Sequence, residues 1–386
     1  MPYIQPTWVK LVQPPGQHVG PGAGGSRISA NQGEDGINRT LRTVPHDEKY
    51  KGAPTGTSET NEVKPPQPMP DPAQRTRMQC SLNIVSSQVE ELERANPGDS
   101  TEDESFFRYS IGVDVVMFCG KYSNIYLAHH NDKPDFHLIA RVFEPTAKVD
   151  PHRSKYLKVL KHLGRRNPYV IGTWDVFFDT NGRVVIFQEY ALYGNLQQYI
   201  TQNNVYVPEP QLHEWAQQVY LGMSFLGDAG VCHRAINPKH LLLTTVEDDE
   251  TKTLLKLGSF RDAIIYYDPK GGRIRNQPCR PLEKRNVANY QAPEVFGEAN
   301  EEFDPIAADV WSYGASFFFA ATRLYPYRYK SSAHADIGLD IQKTIEQAKV
   351  LSEQCKSWFN ALLNADVTQR IEFNKIEAEP WFKTTF

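Results

Sequence analysis

Several features of specialised protein classes are missing from this sequence of 386 residues. Its five cysteines are widely separated, which excludes a zinc motif or a disulfide framework and indicates a reducing compartment. No run approaches about 18 uninterrupted apolar residues, and the start lacks a signal-peptide pattern, so we predict no membrane insertion. The net charge of −4 supplies no basic field for nucleic acid. We expect a cytoplasmic protein, with the nucleus as an open alternative.

Residues 1–104 are poor in apolar side chains and rich in Pro, Gly, Ser, Thr and charge. Such a segment cannot bury enough apolar surface to offset the entropy of ordering, so we predict a disordered tail. A short helix is expected around residues 83–93. Residues 64–68 (KPPQP) could bind an SH3-like domain as a polyproline II helix, or they could simply be solvated tail; both readings stay open.

From residue 105 onward the pattern predicts a β-rich part followed by a helical part. The β-like runs are residues 113–118, 124–129, 136–143, 174–178 and 184–188. One helix with apolar residues at 157, 160 and 163 interrupts them and ends near Gly164. Residues 194–386 have mostly helical patterns. This order predicts an α+β domain over 105–386, with an N-lobe of about 105–190 and a C-lobe of about 191–386.

Five short motifs occur in the second half in a fixed order. They are residues 233–241 (HRAINPKHL), 256–261 (KLGSFR), 290–295 (YQAPEV), 309–314 (DVWSYG), and 369–371 (QRI) with 380–382 (PWF). Each one is weak alone, but together they resemble the Ser/Thr branch of the protein kinase superfamily over residues 105–386. The resemblance implies a bilobal protein-kinase-like fold.

The positions that carry phosphoryl transfer in that family hold other residue types here. The resemblance places Ala235 at the catalytic base and Asn237 at the neighbouring lysine. It places His240 at the metal-binding asparagine, Ser259 at the metal-binding aspartate, and Arg261 at the glycine that follows the phenylalanine. Magnesium prefers oxygen ligands and the reaction needs a carboxylate to orient the acceptor, and this set supplies no carboxylate.

The small lobe departs from the family pattern as well. Arg141 stands at the strand lysine, and Ile139 would then crowd the adenine position. Tyr156 aligns with the partner glutamate, and residues 151–168 contain no acidic residue. Only Gly120 keeps its identity in the phosphate loop, while Phe118 could fill the pocket.

Two further groups of residues follow from the resemblance. We predict remnants of a nucleotide pocket at Phe118, Gly120, Ile125, Ile139, Gln188, Glu189, Ala191 and Leu242. We predict structural roles, retained from the family, for His233, Arg234, Phe260, Leu160, Glu294, Asp309 and Arg370. Residues of the second group maintain the fold and do not imply chemistry.

The segment 259–294 lacks any Ser or Thr after Ser259, so a phosphothreonine switch cannot operate there. Besides Arg261, its cations are Lys270, Arg273, Arg275, Arg280, Lys284 and Arg285. The predicted helix within residues 151–168 carries Arg153, Lys155, Lys158, Lys161, Arg165 and Arg166. Each set is either a solvated surface or a docking surface for a partner.

These observations lead to one main hypothesis and two alternatives. The main hypothesis is a pseudokinase: a catalytically inactive scaffold or allosteric regulator of a signalling partner, expected to be an active kinase. It would need no cofactor or metal, and weak metal-independent ATP binding stays open. One alternative is an atypical ATP-dependent kinase or nucleotide-binding enzyme using His240 and Arg261. The other is a decoy that binds kinase substrates without modifying them.

Overall fold

The structure is a computed structural model. It describes residues 8–10, 72–94, 108–143, 153–178, 183–246, 249–268, 273–274, 277–278, 288–296, 301–327 and 337–386. The strands are β1 Trp8–Lys10, β2 Tyr109–Cys119, β3 Asn124–His130, β4 Lys133–Phe143, β5 Thr173–Phe178, β6 Val184–Glu189, β7 Val231–Cys232, β8 Leu241–Val246, β9 Asp249–Leu257, β10 Ile264–Ile265, β11 Tyr267–Asp268, β12 Arg273–Ile274, β13 Gln277–Pro278 and β14 Glu302–Phe303. The helices are α1 Pro72–Arg94, α2 Arg153–Leu163, α3 Leu196–Asn203, α4 Glu209–Asp228, α5 Pro305–Thr322, α6 Ile337–Glu346 and α7 Glu353–Leu362.

The N-lobe is an antiparallel sheet in the order β1-β2-β3-β4-β6-β5, with α2 packed against it. Strand β4 shows how the sheet forms from an alternating sequence. Leu138, Ala140 and Val142 are buried on one face, in a cluster with Tyr109 and other apolar residues. Because side chains alternate along a strand, Ile139 and Arg141 lie on the opposite, half-buried face.

Helix α2 buries one side because its apolar residues recur at helical spacing. Tyr156, Leu157, Leu160 and Leu163 are buried in the main core. The helix ends where Gly164 adopts a φ of +59°, a left-handed conformation that glycine takes without strain. Its N–H donates to the Leu160 carbonyl at 2.8 Å.

The C-lobe is built around α5, which is buried along nearly its whole length. Asp304 begins this helix by accepting hydrogen bonds from the N–H groups of Ile306 and Ala307. Trp311 and Tyr313 on α5 belong to the main core, as does Trp358 on α7. None of the helices in the described ranges is long and apolar enough to cross a membrane. The predicted α+β fold with a β-rich N-lobe and a helical C-lobe is confirmed.

Helix α1 differs from the prediction for residues 1–104. A short helix around 83–93 was expected, whereas the helix runs over Pro72–Arg94 and packs against α2. Met78, Val85 and Val89 are buried, so these residues do not belong to a disordered tail. The strand Trp8–Lys10 also pairs with β2. Residues 11–71 and 95–107, including 64–68, lie outside the described residues, and the boundary near 104 stays a prediction.

Candidate functional site

The loop between β7 and β8 carries the residues aligned with the catalytic loop, and its polar groups bond to the loop itself. The Asn237 amide nitrogen donates to the Ala235 carbonyl at 2.8 Å, and the Asn237 oxygen accepts from the Lys239 N–H at 2.9 Å. The His240 Nδ1 donates to the same Ala235 carbonyl at 2.7 Å. These contacts engage the Asn237 amide and the His240 Nδ1 within the loop itself.

A buried aspartate on α5 holds the start of this loop. The Asp309 carboxylate accepts the N–H of His233 at 2.7 Å and the N–H of Arg234 at 2.8 Å. Burial raises the pKa of Asp309 to about 7, while the two N–H groups act in the opposite direction. Arg234 has a φ of +63°, and the two hydrogen bonds help to maintain this uncommon conformation.

Three side chains connect the loop, the segment after β9 and α2. The rings of His233 and Phe260 lie 5.1 Å apart between centroids, and both are buried. Leu160 belongs to the same core cluster as Phe260. The His233 Nε2 donates to the Gly258 carbonyl at 2.8 Å. These contacts bring the loop, the segment after β9 and α2 together, and the structural roles of these residues stay a prediction.

Ser259 and Arg261 flank the buried Phe260, and both are exposed. Ser259 has a φ of +63°, and its side chain does not cap the short 3-10 helix that follows. Arg261 is exposed, and its guanidinium lies 5.1 Å from the centre of the Tyr122 ring. Tyr122, in the loop between β2 and β3, packs against the main core. This loop and the segment after β9 are therefore in contact.

The cleft face of the sheet carries Arg141. Its Nη1 donates to the Ser123 hydroxyl at 3.3 Å, while its Nε is buried with no hydrogen-bond partner. Ile139 lies on the same face and pairs with Gln188 of β6. The expectation that Phe118 fills the pocket is wrong, because Phe118 is 59% exposed. Gly120 makes the turn, since an added Cβ would lie 2.8 Å from the Ser123 carbonyl oxygen.

The partner-glutamate position on α2 is an apolar position in this fold. Tyr156 is buried in the core, and the adjacent Lys155 is exposed. Although the residue as a whole is exposed, partial desolvation of its charged group lowers the pKa of Lys155, the nearby Arg234 lowers it further, and Asp262 raises it. Helix α2 therefore presents a cation toward this region where the family pattern has a carboxylate. Asp262 was not among the residues predicted from the sequence, because the matched motif of residues 256–261 ends one residue before it.

The hinge residues predicted for the nucleotide pocket occupy two different environments. Gln188 is buried, and its amide donates to the Thr173 hydroxyl at 3.3 Å. Glu189 forms an ion pair with Lys256 on β9 and accepts the Gly172 N–H at 3.3 Å. The Glu189 carboxylate therefore joins the hinge to two other segments.

The other predicted pocket residues lie on β8, on β3 and directly after the hinge. Leu242 on β8 crowds Gly258, where an added Cβ would lie 2.6 Å from the Leu242 Cδ1. Ile125 pairs with Arg141 across β3 and β4. Ala191 is half-buried directly after the hinge. The roles of all three in ligand binding stay a prediction.

An ion pair holds the end of the segment 259–294 against the C-lobe. The Arg370 guanidinium binds the Glu294 carboxylate with two bonds of 2.5 and 3.0 Å. It also donates to the carbonyls of Ala307 at 2.9 Å and Asn364 at 3.1 Å. The guanidinium lies 4.9 Å from the centre of the Trp311 ring. Such a complete set of partners makes a buried cation tolerable.

Part of the segment 259–294 lies beyond the structural description. Residues 269–272, 275–276 and 279–287 are not described, and of Arg273 only the backbone is. The proposed docking surface of six cations therefore stays a prediction. The three tyrosines of this segment, Tyr266, Tyr267 and Tyr290, are buried. Burial also raises the pKa of Tyr266 and Tyr290, which favours their neutral phenols.

The residues in the cleft do not fit a magnesium ion. Within the described ranges, no group of three or more His, Cys, Asp or Glu side chains could hold a metal ion. Burial lowers the pKa of His240, which keeps its imidazole neutral. A neutral imidazole and the Ser259 hydroxyl are poor magnesium ligands. A nucleotide would therefore have to bind in this cleft without the ion that normally neutralises its phosphates.

Comparison with known proteins places the chain in a family. The protein kinase domain matches residues 117–382, so the chain belongs to the protein kinase family. Serine/threonine-protein kinase SRK2F of Arabidopsis thaliana is 25% identical over 281 residues, which cover 71% of this chain and 74% of that protein. Serine/threonine-protein kinase ULK3 of Homo sapiens is 25% identical over 231 residues, covering 58% of this chain and 44% of that protein.

A solved structure shares the fold. The crystal structure of the Rad53 kinase domain and SCD2 in complex with AMPPNP has a TM-score of 0.52 and 17% sequence identity with this chain. The match covers 73% of this chain and 92% of that one. The resemblance to protein kinases is therefore confirmed at the level of family and fold.

Three histidines with lowered pKa values make the acid stability of this protein testable. Burial lowers the pKa of His162 and His240, and it lowers the pKa of His233 from 6.5 to about 3. Below pH 6.5 the unfolded chain therefore binds protons that the folded chain does not. We expect their contribution to the free energy of unfolding to be complete above pH 6.5 and to be lost as pH falls toward 3.

A variant of one histidine separates the pH dependence of that residue from the opposing pH dependence of Asp309. Asp309, with a pKa of about 7, has the opposite slope between its ordinary value of 3.8 and pH 7. We therefore compare His162→Gln with the wild type by urea unfolding between pH 7.5 and 5. Glutamine can still donate to the Ala229 carbonyl, which His162 Nε2 contacts at 2.8 Å. The variant should lose less stability on acidification; an identical slope would contradict the assignment.

Proposed function

We propose that this chain is a pseudokinase, a protein-kinase-like scaffold or allosteric regulator without phosphotransferase activity. One observation carries the proposal: the cleft positions that need carboxylates or magnesium ligands hold Ala235, His240 and Ser259. The first has no polar side-chain atom, and the second bonds to the loop's own carbonyl. The relatives have the names of active kinases, and those names describe the relatives.

Several charge-stabilising groups are absent from the same site. Phosphoryl transfer relies on positioning and on neutralising phosphate charge. Losing one charge-stabilising group commonly lowers kcat by roughly 100- to 1,000-fold. Such effects are not additive within a site, but no carboxylate aligned with the metal or base positions remains. Asp262 is a single carboxylate next to cations, which supports an electrostatic role at α2 in preference to metal binding.

The retained structural contacts support a regulatory role through binding. The contacts of Asp309, of Glu294 with Arg370, and of His233 with Phe260 maintain a kinase-shaped body. A folded body without chemistry can act on a signalling protein only through its surface. We propose an active kinase as the partner, because a kinase-shaped surface can contact another kinase without transferring phosphate.

The full-length chain provides a direct test of the missing chemistry. Millimolar ATP with magnesium should leave Tm unchanged, because no residue set in the described part of the chain would hold the ion against the phosphates. Radiolabelled phosphate should not appear on the chain or on a generic peptide substrate. A catalytically competent Ser/Thr kinase serves as the positive control. Magnesium-dependent stabilisation together with phosphopeptide accumulation would refute the proposal.

A second candidate function is metal-free nucleotide binding. The observation that favours it is Arg141, whose buried Nε has no hydrogen-bond partner and which lies on the cleft face of the sheet. A phosphate oxygen could satisfy that donor and remove its desolvation penalty. Calorimetric titration with ATP in EDTA should then show binding that Arg141→Leu abolishes. Equal heats for both proteins would reject this candidate.

A further inference from the structure

A groove of about 990 Å³ lies beside the hinge, separate from the residues of the catalytic loop. Its walls come from the β3–β4 turn, the linker between α2 and β5, the hinge, and the hairpin of β8 and β9. This volume is at the upper end of the range for ligand sites, which suits several residues of an extended peptide. Its chemistry indicates what kind of peptide it would bind.

The anion-binding group of the groove is Arg165. Its guanidinium lies 4.2 Å from the centre of the Trp174 ring, an arrangement that orients the planar group. Arg165 makes no hydrogen bond or ion pair with a described residue. Gly172 lies directly beside Arg165, since a Cβ added at Gly172 would lie 2.9 Å from the Arg165 Cβ. The guanidinium is thus held in place with its donors unused, and these donors match a carboxylate.

The charged residues around the groove do not neutralise the positive charge of Arg165. Arg166 is fixed by the carbonyls of His162 and Leu163 and adds a second cation to the same wall. The carboxylate of Glu189 at the base of the groove is neutralised by Lys256. Asp132, on the β3–β4 turn, is 84% exposed and lies 3.8 Å from the His130 ring nitrogen. Lys133 and Asp135 also line the groove, at the start of β4 and not on the wall that carries Arg165. The α2–β5 wall is therefore positive.

Apolar surface adjoins this positive wall. The rings of Trp174 and Phe136 lie 5.1 Å apart between centroids and form one surface. Leu192, just after the hinge, is 51% exposed although it is a large aliphatic residue. Leu254 of β9 also lines the groove. A peptide side chain that covered Leu192 and Trp174 would remove this apolar area from water.

We propose that the groove binds an extended acidic segment of a partner protein. A peptide carboxylate pairs with Arg165, and an adjacent aliphatic or aromatic side chain packs against Trp174 and Leu192. This assignment deepens the proposed function, on which it rests, by naming the surface and the chemistry of the partner. The cleft experiments with ATP and the groove experiments with peptides use different residues, so either can fail alone.

The test selects peptides from a degenerate nine-residue library with the full chain as bait, followed by fluorescence anisotropy of the selected peptides. We expect selection of Asp or Glu next to an apolar residue, with affinity that falls as salt rises. Arg165→Glu should weaken binding by about 10-fold or more, and Arg165→Lys should have a smaller effect. Trp174→Leu should also weaken binding. Lys375→Glu, which changes a lysine that is 64% exposed, is the charge-matched control.

Each contrary result rejects the proposal. The first is selection of no acidic peptide, or equal binding by wild type, Arg165→Glu and Trp174→Leu when all have the wild-type Tm. The second is a groove occupied by a second copy of this chain, seen as self-association that Arg165→Glu abolishes. The third is occupation by the chain's own acidic segment 99–107, seen as tighter binding of that synthetic peptide than of any library sequence.

Discussion

Replacing Arg370 by leucine is expected to lower the free energy of unfolding by about 3–5 kcal/mol. The Arg370 side chain is fully buried, and it binds both oxygens of Glu294. Leucine would leave the Glu294 carboxylate and the carbonyls of Ala307 and Asn364 without their donor. Unpaired polar groups in a buried setting are among the largest sources of destabilisation by single substitutions. Urea unfolding followed by circular dichroism measures the loss.

The surface pair of Lys375 and Glu372 provides a matched control. Its two charged atoms lie 3.3 Å apart, but the Lys375 side chain is 64% exposed. Lys375→Leu should therefore change stability by less than about 1 kcal/mol. The double variant Glu294→Leu with Arg370→Leu should lose less than the sum of the two single variants, because the residues are coupled. Equal losses for Arg370→Leu and Lys375→Leu would contradict this account.

Replacing Val89 by aspartate should release α1 from the folded domain. Val89 is 0% exposed, on the helix that packs against α2. A carboxylate at this position would be removed from water, and burying a charge in an apolar environment is costly. We expect a loss of about 3 kcal/mol in stability. Because Ser81 of α1 contacts the His162 Nδ1 at 3.1 Å, release should also expose α2 to faster amide hydrogen exchange.

The same helix contains a control position five residues earlier. Ile84 is 59% exposed, so Ile84→Asp introduces the same charge without burying it. This variant should keep the stability of the wild type to within about 0.5 kcal/mol and leave exchange in α2 unchanged. If both variants destabilise equally, the packing of α1 against α2 is not what stabilises this region. Hydrogen exchange monitored by mass spectrometry distinguishes the two outcomes.

Helix α2 combines two departures from the family pattern with opposite physical character. At the aligned glutamate position, Tyr156 is buried and contributes to the core. Next to it, Lys155 lies in the field of Asp262 and Arg234. A helix that normally contributes a carboxylate to the cleft here contributes packing and a cation. Its position is set by apolar contacts and by α1, which precedes the matched family domain of 117–382.

The order of the lobes could be predicted because local patterns determined it. The β-like run of residues 136–143 predicted most of β4, and the structure places Ile139 and Arg141 on one face of that strand. The exposure of Phe118 could not be predicted, since it depends on a bulged pairing between β2 and β3. The ion pair of Glu189 with Lys256 joins residues 67 positions apart, and no local pattern signals such a pair.

The sequence by itself determined the family, the α+β order of elements and the loss of carboxylates at Ala235 and Ser259, because residue identity and spacing suffice for each. Only the tertiary structure decided which polar groups remain available for a ligand. His240 bonds to its own loop, whereas Arg165 keeps its donors unused beside Trp174. The reason is physical: availability depends on partners that are distant in the chain, and folding alone brings them together or keeps them apart.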